Sequence, residues 1–215
     1  MSQQNATRRG ELEGRLRLLH SGRQLEVLTV VWNSAEGVVS IVFALLAGSV
    51  ALIGFGIDSL IETSSGLVLL WRLQTRRDME SAERAEAIAL RLVGLSFVAL
   101  AVYIAFESIL ALVKQEPPGA SLGGIVIAVL SLIVMPILAR SKRRVAAALD
   151  SRALHADSIQ TDICMILSAI LLLGLGLNAA LGWWWADPVA GMAMVPLIAR
   201  EGVHALRGER CEEFV

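Results

Sequence analysis

Asp58 and Glu62 stand four residues apart inside an apolar stretch, Ser49 to Leu73, that is long enough to cross a bilayer. Four residues is about one helical turn, so both carboxylates leave the same helix face. A charge at mid-bilayer costs on the order of 3 kcal/mol on insertion scales. Two such groups on one face must therefore pair, titrate or hold a cation. Two carboxylates on one rigid element are hard oxygen ligands for a divalent cation. Two ligands from another helix would complete a tetrahedral set. The fifth apolar segment offers two pairs at the same spacing, Gln160 with Cys164 and Ser158 with Asp162.

The elements that must position these groups are apolar helices. The chain has 215 residues, is 55% hydrophobic and has a mean hydropathy of +0.64. Soluble domains hold roughly 45–50% apolar residues, so an integral membrane protein of one domain is expected. Neither a separately folding soluble module nor a nucleic-acid partner is expected. Six apolar segments can be read, at about 26–47, 49–73, 87–113, 121–140, 156–181 and 186–206. Each is long enough to span about 30 Å as helix. Ala47-Gly48-Ser49 is a very short turn, and Pro117-Pro118-Gly119 separates the third segment from the fourth. Asn178 and the run from Gly182 to Pro188 separate the fifth from the sixth, with Trp183, Trp184 and Trp185 suited to an interfacial belt.

Basic residues set the expected orientation. Arg8, Arg9, Arg15, Arg17 and Arg23 precede the first segment. Arg72, Arg76, Arg77 and Arg84 fall in the second connection, and Arg140, Lys142, Arg143, Arg144 and Arg152 in the fourth. Arg200, Arg207 and Arg210 follow at the end, and the other side offers Lys114. This pattern places both termini in the cytoplasm. The expected organisation is an all-α bundle in the cell membrane: a cytoplasmic arm over 1–24, a six-helix domain over 25–207 and a short tail over 208–215. In the arm, Leu12, Leu16 and Leu19 share one face of a helix that would lie on the membrane or lead into the first span. The first residues lack the apolar core of a cleavable signal peptide. The two cysteines, Cys164 and Cys211, set no disulfide framework.

Other polar groups inside the spans are functional candidates by default. Asn33 and Glu36 share a face of the first segment. Glu36 could be a further ligand, a proton carrier or a partner to a polar neighbour. Glu107 lies near the outer end of the third segment, and His155 lies at the start of the fifth. Asp157, Gln160, Thr161, Cys164 and Ser168 form one stripe at helical spacing. Asp162 lies about 200° around the helix from Cys164 and is expected to pair or line a cavity near the cytoplasmic mouth.

The run GSVALIGFGIDSLIETSSG resembles the second transmembrane helix of the cation diffusion facilitator family. HADSIQTDICMILSAILLLGLGLN resembles its fifth helix, and WADPVAGMAMVPLIAREGVHALRG its sixth, with an Asp-Pro start. The resemblance covers roughly residues 26 to 207. It implies a homodimeric exporter that exchanges a divalent cation for protons through a tetrahedral site on helices two and five. An ungapped match on Ala156-Asp157 implies the set Asp58, Glu62, Gln160 and Cys164. Gln160 and Cys164 then stand where the family usually has His and Asp, and a two-residue shift would give Ser158 and Asp162 instead. Asp157 matches a family position and is expected to serve the mouth of the pathway or the structure. Many family members carry a cytosolic metal-sensing domain after the sixth helix, for which the residues after Arg207 are too few. Dimerisation is therefore expected through the transmembrane helices.

A divalent ion in mid-membrane needs compensating charge, which Asp58, Glu62 and a Cys164 thiolate would supply. Metal and protons would compete for the same groups. Thiolate favours zinc and carboxylates favour manganese or magnesium. Zinc is the expected cargo, then manganese or iron(II), with no resident cofactor. Two other readings stand beside this one, a proton-coupled organic-cation transporter and a membrane scaffold that transports nothing. An enzyme is not expected, because no H-E-x-x-H or G-x-S-x-G run is present.

Overall fold

The computed structural model describes residues 2–74, 79–115, 117–149 and 151–207. Six helices fill them: α1 (Ser2–Ala47), α2 (Val50–Gln74), α3 (Met79–Lys114), α4 (Leu122–Leu149), α5 (Arg152–Leu181) and α6 (Ala186–Arg207). All six are long and apolar enough to cross a membrane. In a bilayer every backbone N–H and C=O needs an internal partner, which a continuous helix provides.

The breaks between helices have local causes. Gly48 takes φ 68°, a left-handed conformation open to glycine, and turns α1 directly into α2. Its N–H and that of Ser49 bond back to the Ala44 carbonyl at 2.8 and 3.2 Å. Ser151 caps α5 by accepting from the Leu154 N–H, and Gly182 closes α5 in the left-handed region. Pro188 falls in the first turn of α6, where a missing N–H costs nothing.

Two expected boundaries are corrected. Asn178 does not separate the fifth and sixth segments. It lies inside α5, and its side chain donates to the Pro118 carbonyl at 3.1 Å. Arg140, Lys142, Arg143 and Arg144 do not form a connection, because α4 carries them in helix as far as Leu149. The first helix passes from the N-terminal arm into the first span with no break at residues 24–25. The Leu12 side chain and the tail over 208–215 lie outside the described parts.

α3 packs most extensively on α6, α1 on α2, and α4 on α5. α2 also touches α3, α5 and α6, so it is a central element. Small residues permit the close crossings, as is usual between helices in lipid. A Cβ on Gly37 of α1 would sit 2.9 Å from the Gly56 carbonyl oxygen of α2. A Cβ on Gly94 of α3 would sit 2.8 Å from the Gly202 carbonyl oxygen of α6. Between the helices, Leu52, Phe55, Ile104, Met135, Leu167 and Met194 form the buried apolar core. Apolar side chains such as Val102, Phe106, Leu122 and Leu173 face outward, as a lipid-facing surface requires.

Candidate functional site

The polar groups of α1, α2 and α5 meet inside this core. Asn33, Glu36, Asp58, Ser59, Glu62, Cys164 and Ser168 are all buried. Asn33 donates its side-chain amide to Glu62 Oε2 at 2.8 Å. The Ser59 hydroxyl donates to Glu36 Oε2 at 3.0 Å, and the Cys164 thiol faces the same oxygen at 3.9 Å. Cys164 also stands within electrostatic reach of Glu62 and Asp58. Ser168 donates to the Cys164 carbonyl at 2.8 Å and lies 2.8 Å from Ser131 Oγ on α4.

Helical period explains which groups converge. Asn33 and Glu36 are three apart on α1, and Asp58 and Glu62 are four apart on α2, so each pair shares a face. The Gly37–Gly56 crossing then brings those two faces together. Three buried oxygens in the group, Glu36 Oε1, Glu62 Oε1 and Asn33 Oδ1, accept no hydrogen bond. Such atoms are rare in folded proteins and call for a proton, a water or an ion. Among the described residues, no three His, Cys, Asp or Glu side chains converge into a group able to hold a metal ion. Asn33 and Ser59 engage Glu62 and Glu36 instead.

The expected fifth-helix candidates divide. Cys164 joins the buried group, as the helical stripe anticipates. Gln160 is half-buried on the same helix, and no hydrogen bond joins it to the group among the described residues. Asp162 turns away and pairs with Arg143 of α4 at 2.8 Å, on a partly exposed side of the bundle. Ser158 is buried, but its hydroxyl bonds to the His155 carbonyl of its own helix at 2.6 Å. Glu107 is half-buried and His155 exposed.

Asp157 belongs to a second arrangement, which sequence reasoning missed. Lys142 of α4 forms ion pairs with Asp157 of α5 and with Glu26 of α1, the latter at 3.2 Å. The Lys142 and Glu26 side chains are 0% exposed. By its place in the basic run Lys142 reads as one more charge of a connection, yet it is a core residue. Removing one partner from a buried pair costs on the order of 3–5 kcal/mol, because the other charge is left uncompensated. The available signal was spacing: Lys142 lies four residues from Leu138 and seven from Met135, both buried on one face of α4.

Asp187, of the Asp-Pro start, does structural work at the other end. From α6 it accepts from the Ser49 hydroxyl at 2.5 Å and from the Val50 N–H at 2.9 Å. It thus caps the N-terminus of α2, where a carboxylate also complements the helix dipole. Trp183 and Trp185 stack beside it in sequence, with ring centroids 5.1 Å apart.

A sequence model of the cation efflux transmembrane domain matches residues 27–209. A Synechocystis protein described as an uncharacterized transporter is 25% identical over 75% of this chain and 54% of its own length. A cation-efflux pump, FieF, of Salmonella arizonae is 27% identical over 68% of this chain and 51% of its own. A FieF of Shewanella oneidensis is 29% identical over 42% of this chain and 30% of its own. The chain thus spans about half the length of two of these relatives and less than a third of the other. With its six spans and a family match over most of its length, the chain belongs to the cation efflux family and is a multi-pass integral protein of the cell membrane.

Proposed function

We propose that this chain moves a divalent metal cation out of the cell in exchange for protons, through the buried carboxylates of α1 and α2. The observation that carries this reading is that Glu36, Asp58, Glu62 and Cys164 are all buried in the core, with the Cys164 thiol facing Glu36 and unpartnered carboxylate oxygens on Glu36 and Glu62. Family membership supplies the reaction class, and the relatives named cation-efflux pumps support export. A transporter of this kind has no chemical step to catalyse, so an enzyme is not proposed.

Asp58 and Glu62 are the proposed ligands from α2 and Cys164 the ligand from α5. Glu36, which shares its oxygen with Cys164 and Ser59, takes the fourth place more readily than Gln160. Cation binding then requires Ser59 and Asn33 to release their carboxylates. Protons and cation compete for these oxygens, and that competition couples export to proton uptake. Zinc is the proposed cargo because a thiolate joins the carboxylates, with manganese or iron(II) next. Cytoplasmic termini are proposed, a reading the basic residues at that end support, and a homodimer through the transmembrane helices is proposed from the family resemblance.

The test is zinc flux into proteoliposomes, with and without a pH gradient, for the wild type and Asp58→Ala. Flux that follows the gradient and vanishes in the variant is expected. Flux equal in the two proteins removes the carboxylate site. Proton movement that follows an organic cation and not zinc would favour the organic-cation reading.

A further inference from the structure

The Lys142 ion pairs lie at a defined place relative to the carboxylate group. On α1, Glu26 precedes Asn33 by seven residues, about 10 Å along the axis. On α5, Asp157 precedes Cys164 by the same seven residues and the same distance of about 10 Å. α2 closes a further side. A Cβ on Gly66, one turn beyond Glu62, would lie 2.7 Å from Glu26 Oε1. Glu26, Lys142 and Asp157 therefore form a layer across α1, α4 and α5, backed by α2. The layer lies about two turns from the carboxylates, on the side of the α4–α5 turn.

A cation approaching Glu62 from that turn meets this layer first. Its two carboxylates are already engaged by Lys142, and the ammonium opposes any cation entering beside it. Lys142 is also in electrostatic reach of Glu62, so its charge is felt at the site as well as at the layer. At the opposite end, Asp187 ties α6 to the start of α2. Ser49 is nine residues from Asp58, about 13 Å, so the carboxylate group is held between two polar ties.

We propose that Lys142 is a gating residue: paired with Glu26 and Asp157, it closes the path from the α4–α5 turn to the carboxylates, and it must swing away for a cation to pass. Once it leaves, Glu26 and Asp157 become a relay for the cation. This rests on the transport reading above, but it makes a separate claim about access.

Cys164 reports access directly. The full chain carrying Cys211→Ser is placed in sealed vesicles of one orientation and treated with a small, membrane-impermeant cationic methanethiosulfonate. Lys142→Met removes the ammonium that bars the layer and leaves Glu26 and Asp157 without their counter-charge, so the ties between α1, α4 and α5 are lost. Modification of Cys164 should then rise about tenfold or more, from the face bearing the α4–α5 turn, as the open population grows. Lys142→Arg, which keeps the charge, should stay within about threefold of the parent. An unchanged rate in folded Lys142→Met overturns the gate, and so does a rise from both faces, which is general loosening. Where Lys142→Met does not fold, Asp157→Asn is read instead. It keeps the Lys142–Glu26 pair and should give a smaller one-sided rise, and no rise overturns the proposal. Labelling needs no transported cation, so its result is decided separately from the flux experiment.

Discussion

Asn33 on α1 donates to Glu62 on α2 over 2.8 Å, with both residues buried. The bond joins two helices through the group proposed to carry the cation. A partner that holds a carboxylate in place also competes with any cation for it, so this bond stabilises the bundle and opposes binding together.

Asn33→Leu keeps the volume but strips Glu62 of its donor. A buried acceptor left unmade costs about 1–3 kcal/mol. Chemical denaturation in detergent, followed by tryptophan fluorescence, should show a loss of that size. Glu62→Gln keeps a carbonyl acceptor and should lose less. Equal stability of Asn33→Leu and wild type would remove this bond from the account.

Variants at Cys164 and Asp162 should separate in metal selectivity. A thiolate ligand prefers soft cations. Cys164→Ser should weaken cadmium transport about tenfold, or about 1.4 kcal/mol, with manganese changed much less. Asp162→Asn removes a partly exposed pair with Arg143, worth under about 1 kcal/mol, and should change neither cation's flux materially. Parallel flux assays in proteoliposomes check both. Loss of transport in Asp162→Asn alone would return the alternative fifth-helix pair, Ser158 and Asp162.

Asp187→Ala removes two hydrogen bonds to the start of α2. Loss of such a cap costs about 0.5–2 kcal/mol. Faster amide exchange at Val50 and its neighbours should accompany a modest loss of stability, while exchange within α4 stays as in the wild type. Unaltered exchange at Val50 would show that the contact from α6 does not hold this helix end.

Two glycines give opposite outcomes. Gly94→Ala puts a methyl 2.8 Å from backbone atoms of α6, which cannot yield without moving the helix. Overpacking of this kind costs about 1–3 kcal/mol. A Cβ on Gly176, inside α5, meets nothing within 4 Å. Gly176→Ala should be neutral or stabilise by up to about 1 kcal/mol, through helix propensity alone. Thermal unfolding of the two variants side by side tests the close α3–α6 crossing.

The amino-acid sequence by itself determined the six spans, the short turn at Gly48, the break at Pro117-Pro118-Gly119 and the shared faces of Asn33 with Glu36 and of Asp58 with Glu62. These follow from hydropathy, helical period and glycine or proline chemistry, all of which act over a few residues. The separation of Cys164 from Asp162 was legible for the same reason, since two residues on a helix point to different sides. Only the tertiary structure decided what those faces meet. Cys164 faces Glu36 across 128 positions, and Asp187 reaches Ser49 across 138. Lys142 shows the limit most clearly. By sequence it reads as one more positive charge among Arg140, Arg143 and Arg144. It is buried because Glu26 and Asp157, from two other helices, arrive to compensate its charge. That compensation depends on how α1, α4 and α5 pack, which no local pattern encodes.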